Sequence, residues 1–235
     1  MHSAHLLSTN NQIAVSPLLQ PARDPNAALL MLADAEHPGR PALEQFIANG
    51  FSRHYQARVR QFMPYLAGVQ HFGVLQAALG IRFARQHPLF TEQYLPVKAE
   101  QILKQYAIDC QREDIAEIGH LYADNPLALM PLFVLTVQAL YQLNIRQLVF
   151  AATAELSHML RRHGVSLTVL APADPALLGD KAQDWGSYYQ TQPQVCALSV
   201  AQVAQKINAD TRLQRLIFRH WPQLHALVDS LQESV

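Results

Sequence analysis

The chain has 235 residues, half of them apolar and 15% charged, so it can bury a sizeable core and is too apolar for a disordered chain. Lys plus Arg (18) equals Asp plus Glu (18), which removes the electrostatic argument for nucleic acid. Two cysteines, Cys110 and Cys196, make no disulfide framework and point to a reducing compartment.

Residues 1–40 are rich in Pro, Asn, Ser and Asp and read as an N-terminal arm, with 14–15 and 28–32 as short strands or packed segments. Met1-His2-Ser3-Ala4-His5-Leu6-Leu7 lacks the basic start and long apolar stretch of a signal peptide, so a cytoplasmic protein is expected. Pro41 opens a helix that the spacing of Leu43, Phe46, Ile47, Phe51, Tyr55 and Val59 carries to about residue 60, with Gly50 a weak point. Residues 62–69 and 74–83 form two strands of a hairpin around Gly73. A short helix is expected over 98–109 and a strand over 114–122. A strongly apolar helix follows over 127–143, entered at Asp124-Asn125-Pro126. Pro131, Thr136, Gln138 and Gln142 interrupt that helix, which is too short and too polar for a membrane span. A strand over 145–151, a helix over 154–163 capped by Thr153 and stopped by Gly164, and a strand over 166–171 complete β-α-β-α-β. The first β-α-β predicts parallel strands with a right-handed crossover and a mixed α/β domain over 41–198. Residues 199–209 and 211–234 read as C-terminal helices, the second broken near Pro222.

One carboxylate stands out. Glu117 lies in Asp114-Ile115-Ala116-Glu117-Ile118-Gly119-His120-Leu121, a mostly apolar strand. Alternation puts Ile115, Glu117, Gly119 and Leu121 on one face and Ala116, Ile118 and His120 on the other. A carboxylate on a covered face must be paired, hydrogen-bonded or protonated. Gly119 would leave space beside it, which makes Glu117 a candidate general base; on a solvated edge it would be an ordinary surface acid.

No Gly-rich phosphate loop and no His-Glu-x-x-His pattern occurs, so neither a tightly bound cofactor nor a metal is expected. Trp185-Gly186-Ser187-Tyr188-Tyr189 lacks the spacing of a nucleophile elbow, and Ser187 reads as a turn residue. The cysteines read as small buried hydrophobes. Two clusters remain. In Leu89-Phe90-Thr91-Glu92-Gln93-Tyr94-Leu95, the polar Glu92, Gln93 and Tyr94 would bind an amine or hydroxyl, or the run is a surface turn. Trp185, Tyr188 and Tyr189 would wall a pocket for an apolar ligand, or pack as a loop.

Taken in order, these runs resemble the thermostable hemolysins (delta-type, of Vibrio and relatives). The resemblance is carried by Phe62-Met63-Pro64-Tyr65-Leu66, Ala77-Ala78-Leu79-Gly80-Ile81-Arg82, 89–95, Glu117-Ile118-Gly119-His120-Leu121, Phe150-Ala151-Ala152-Thr153, Leu170-Ala171-Pro172-Ala173-Asp174-Pro175 and 185–189, over roughly 28–200. That family usually has Asn at the place of His120 and Thr at the place of Ala151. The order of Gly80-Ile81-Arg82, Glu117-Ile118-Gly119 and the next two strands is also similar to acyl-homoserine-lactone synthases of the acetyltransferase-like (GNAT) fold. That likeness implies a GNAT-like mixed central sheet flanked by helices, with an acyl-CoA or acyl-carrier-protein thioester and a small amine as cosubstrates. It implies Glu117 as the base that deprotonates the amine, with Arg82 and Glu92 holding an amino-acid-like acceptor. The competing expectations are a membrane-active haemolytic protein and a non-catalytic module that docks an acidic acyl carrier on Arg53, Arg58, Arg60, Arg82 and Arg85.

Overall fold

The computed structural model describes residues 29–233. The segment 14–15, expected as a short strand or packed arm, lies outside them. Seven strands form one sheet in the order β1-β2-β3-β4-β5-β7-β6. The strands are β1 (Leu29–Ala33), β2 (Tyr65–His71), β3 (Val74–Phe83), β4 (Ile115–Ala123), β5 (Gln147–Ala152), β6 (Thr168–Pro172) and β7 (Gln194–Ser199). All neighbours are antiparallel except β4 and β5, which are parallel as the crossover rule predicts. The mixed α/β architecture expected from the sequence is the one observed.

The helices are α1 (Arg40–Tyr55), α2 (Ala99–Gln105), α3 (Pro126–Gln142), α4 (Ala154–Arg162), α5 (Val200–Ala209), α6 (Thr211–Arg219) and α7 (Trp221–Glu233). On one sheet face, α3 and the C-terminal helices build the main core around Leu79, Ile81, Phe83, Ile118, Leu132, Phe133, Leu224 and Leu231. On the other face, α1 covers the β1–β4 half, and α2 with the connecting turns covers the β4–β6 half. Residues 29–33, read with the N-terminal arm as a short strand or packed segment, form the sheet edge, and 199–233 packs into the main core. The break expected near Pro222 falls at His220, and Pro222 sits in the first turn of α7, where a missing N–H costs nothing.

Other departures have local causes. Helix α1 stops at Tyr55 because Gln56 turns left-handed (φ 56°). Gly50, expected as a weak point, is a close-approach site, since a Cβ there would lie 2.3 Å from the Tyr122 ring. The hairpin β2–β3 turns on Phe72 and Gly73, both at positive φ, as a tight two-residue turn requires. Strand β7, unassigned in the sequence, inserts between β5 and β6. Its Val195-Cys196-Ala197-Leu198 run is short and poor in β-branched residues, and sheet pairing on both edges overrides that weak propensity.

Candidate functional site

The site is built where β4 leaves β5. Their pairing covers only Ile115↔Gln147, Ala116↔Leu148 and Glu117↔Val149, although both strands continue. On its other edge β4 stays paired with β3, and there Gly80↔Gly119 and Ala78↔Tyr122 enclose a bulge in which His120 and Leu121 oppose Leu79 alone. His120 takes φ 53°. The bulge corrects the alternation read from the sequence. Leu121 packs on the α3 face. The His120 ring lies on the face of Glu117, among Phe51, Phe62 and Trp185.

Glu117 is fully buried. Its Oε1 accepts hydrogen bonds from the Thr91 N–H (2.6 Å) and hydroxyl (2.7 Å). Its Oε2 accepts from the Phe90 N–H (2.8 Å) and from Arg82 Nη1 (3.4 Å). The solvated-edge alternative is therefore excluded. Burial raises its pKa, and the Thr91 and Phe90 donors with the Arg82 charge pull it back. Two oxygens offer about four lone-pair sites, and four donors fill them. Glu117 takes a proton only once a donor leaves, and the Thr91 hydroxyl is the one free to rotate. The space expected beside Gly119 is filled by Met63, whose Cε would lie 2.5 Å from a Cβ at that position.

Arg82 faces Glu117 across the β3–β4 pair and also donates to the Pro88 carbonyl (3.3 Å). Its Nε is buried without a partner among the described residues, as is His120 Nδ1. Burial, with a smaller push from Arg82, lowers the His120 pKa to about 4 and keeps the imidazole neutral.

Trp185 is the hub of an aromatic wall. It lies parallel to His120 (7°, centroids 6.5 Å apart) and touches Phe90, Phe51, Tyr188 and Tyr189. Tyr94 is buried and its hydroxyl meets that of Tyr189 at 2.5 Å. Burial raises the pKa of Tyr94, Tyr188 and Tyr189 alike. The loop is pinned to the end of α1 by Ser187 N–H to the Tyr55 carbonyl (2.7 Å), which agrees with Ser187 as a turn residue.

The structure therefore gathers Arg82, Tyr94, Glu117, Gly119, Trp185, Tyr188 and Tyr189 on one face. It does not bring Glu92 and Gln93 there. Gln93 is exposed. Glu92 turns away to Arg112 (2.7 Å) and to the N–H groups of Leu89 and Ala99 (both 3.0 Å). Chiefly through Arg112 its pKa, despite opposing burial, falls to about 2. It braces the turn whose Phe90 and Thr91 N–H groups bind Glu117. Sequence reasoning missed Thr91, Met63 and the orientation of His120. Both cysteines are buried, and burial raises the Cys110 pKa to about 11. Among the described residues no group of three or more His, Cys, Asp and Glu side chains could hold a metal ion.

Several solved structures share the fold at low identity. TofI, in a ternary complex with an inhibitor and MTA, is 15% identical over 79% of this chain and 99% of its own, with TM-score 0.53. The AHL synthase LasI is 13% identical over 74% and 91%, with TM-score 0.52. FeeM, an N-acyl amino acid synthase from uncultured soil microbes, is 14% identical over 77% and 96%, with TM-score 0.52. No curated protein matches the sequence. The family model described as thermostable hemolysin matches residues 33–204, and the chain belongs to that family.

Proposed function

We propose that the chain is an N-acyltransferase that moves an acyl group from a thioester, on CoA or an acyl carrier protein, to a small amine. The observation that carries this reading is the parting of β4 from β5 immediately beyond Glu117, a buried carboxylate held by four donors. Beyond Glu117 the edge of β4 that faces β5 pairs with no strand among the described residues, and in this reading the opened edge receives a thioester arm and its backbone N–H groups hold the oxyanion of the carbonyl. A thioester is already activated, so positioning, proton removal and oxyanion stabilisation suffice, and no covalent nucleophile is needed. In this reading Arg82 offers its unused guanidinium donors to an acid group of the acceptor. Trp185, Tyr188 and Tyr189 wall the acyl chain. Glu117 is the central charge, and with all four donors in place it has no lone pair free for the amine's proton; it could serve as the base expected from the sequence only if the Thr91 hydroxyl turned away. LasI, an AHL synthase, and FeeM, an N-acyl amino acid synthase, share the fold and support the reaction class. Cysteine usage supports a cytoplasmic place for it.

The test is incubation of the purified chain with acyl-CoA and acyl-carrier thioesters of graded length and a panel of amines, following free thiol and amide mass. Amide formation that E117Q reduces by about a hundredfold or more supports the reading. No product with any pair overturns it.

The family description favours a second reading, direct membrane lysis. Among the described residues no helix is long and apolar enough to cross a membrane. For the third, a carrier-docking module, Arg53, Arg60 and Arg82 are already paired with Asp124, Asp184 and Glu117.

A further inference from the structure

Glu117 is saturated, yet two buried nitrogens on its face, Arg82 Nε and His120 Nδ1, have no hydrogen-bond partner among the described residues. Buried polar atoms are nearly always paired, so an orphan beside a candidate site needs an explanation. His120 is held there in left-handed backbone. It sits at φ 53° in a bulge, a conformation uncommon outside glycine. The bulge is what carries its ring to the Glu117 face. Trp185 lies parallel to the ring (centroids 6.5 Å apart), with Phe62 (5.6 Å) and Phe51 (6.4 Å) beside it. His120 and Gly119 also keep part of their surface accessible, at the point where β4 has left β5.

We infer that His120 is a catalytic residue of the proposed acyl transfer, accepting the proton of the attacking amine on Nδ1 and returning it to the departing thiolate. This rests on the acyl-transfer reading and assigns the proton step within it. The amine nitrogen forms a C–N bond to the thioester carbonyl, whose oxygen takes the π electrons. The proton lost by that nitrogen passes to His120. The C–S bond then breaks as the carbonyl re-forms, the sulfur leaves with the electron pair, and imidazolium gives it the proton. Amide and thiol are the products, and His120 returns to its starting form. Three features suit it to this task. Its apolar enclosure keeps the imidazole neutral and its lone pair available. The same enclosure makes imidazolium a ready acid towards a thiolate. Arg82 from β3 is the charge that acts on it, its ring neighbours Phe51, Phe62 and Trp185 are uncharged, and the Glu117 carboxylate on the same face is already engaged by four donors and does not trap the proton. Glu117, with every lone pair engaged, then organises Phe90, Thr91 and Arg82 around the reaction.

The decisive variant is H120N. Asparagine tolerates the left-handed backbone and keeps a hydrogen-bond acceptor, but it cannot take up a proton. With a thioester–amine pair that the wild type turns over, H120N is expected to lose about a hundredfold or more in kcat, with KM for the thioester little changed, and to lose the acidic limb of the pH–rate profile. Wild-type turnover matched by H120N within about threefold overturns the role of His120 and leaves acyl transfer standing. A wild type inert towards every pair overturns both. Should H120N fail to fold, ring-nitrogen NMR of the wild type decides: the His120 Nδ1 resonance must shift when the amine is added, and an unmoved resonance refutes the assignment.

Discussion

Replacing Glu92 with glutamine tests whether the candidate site is held by a brace outside it. Glu92 has a side chain only 7% exposed and binds Arg112 through both carboxylate oxygens (2.7 and 3.2 Å). The same oxygens accept from Ala99 at the start of α2 and from Leu89 before the Thr91–Tyr94 turn. A glutamine keeps the shape but sets an N–H₂ group against one of these donors and leaves part of the Arg112 charge to Glu100 alone. A carboxyl held at about 2 instead of 4.5 corresponds to about 3 kcal/mol favouring the charged folded form. Arg112 is 24% exposed and Lys98 54% exposed, so solvent screening trims this to about 2 kcal/mol. The folded pKa is depressed, so this stability is complete above about pH 4.5 and is lost as pH falls through about 2. Urea unfolding at pH 7 is expected to show E92Q less stable by about 2 kcal/mol, and the gap to close in strong acid. A loss below about 0.5 kcal/mol at pH 7, or one unchanged towards pH 2, refutes the reasoning.

His120 carries the same sign in a higher pH window: it is neutral in the fold and protonated in the unfolded chain below 6.5, so stability falls as pH drops from 6.5 towards 4. Over that window the wild type is expected to lose about 2–3 kcal/mol more than H120N in urea titrations, and parallel profiles count against a desolvated ring. Truncating Trp185 to alanine strips the plane stacked on His120, so the ring should titrate nearer 6.5 by histidine NMR; an unmoved titration means that Trp185 does not shield it. G50A gains up to about 1 kcal/mol of helix propensity but drives a methyl into the Tyr122 ring, at an overpacking cost of about 1–3 kcal/mol. A lowered Tm is expected, and a raised one refutes the close approach.

The fold was legible where periodicity and punctuation agree. The apolar run over 126–142 with an Asn125 cap, the β-branched and apolar 147–152, and Thr153 before 154–162 all take their expected states. What failed needs neighbours. Strand β7 exists because two strands wait on either side of it. The orientation of His120 depends on a one-residue bulge against Leu79, and a bulge reverses every later side chain without changing the hydrophobic pattern. One sequence signal was available: the family's usual Asn at this place is a residue that tolerates left-handed backbone, and histidine shares some of that tolerance. Glu92 and Gln93 failed for a similar reason. In a short helical turn, adjacent polar residues point apart, so one reaches Arg112 and the other reaches water.

Acyl transfer and the family description as a hemolysin do not conflict chemically. A fatty acyl amide of a small polar acceptor has one apolar tail and one polar head, and each added methylene strengthens its partition into a bilayer by about 0.8 kcal/mol. Such a product, released at sufficient concentration, disrupts membranes with no insertion by the protein. Direct and product-borne lysis make different demands. Direct lysis needs protein alone, scales with protein bound to the vesicle and ignores H120N. Product-borne lysis needs both cosubstrates, lags while product accumulates, steepens with acyl length and survives removal of the protein by filtration. Dye release from vesicles with protein alone, with each cosubstrate and with both, followed by the same assay on the filtrate, separates them. Leakage only in the complete mixture and retained in its filtrate fits the acyltransferase. Prompt leakage from protein alone refutes the product-borne route, because that tube holds neither the acyl thioester nor the amine that the reaction consumes.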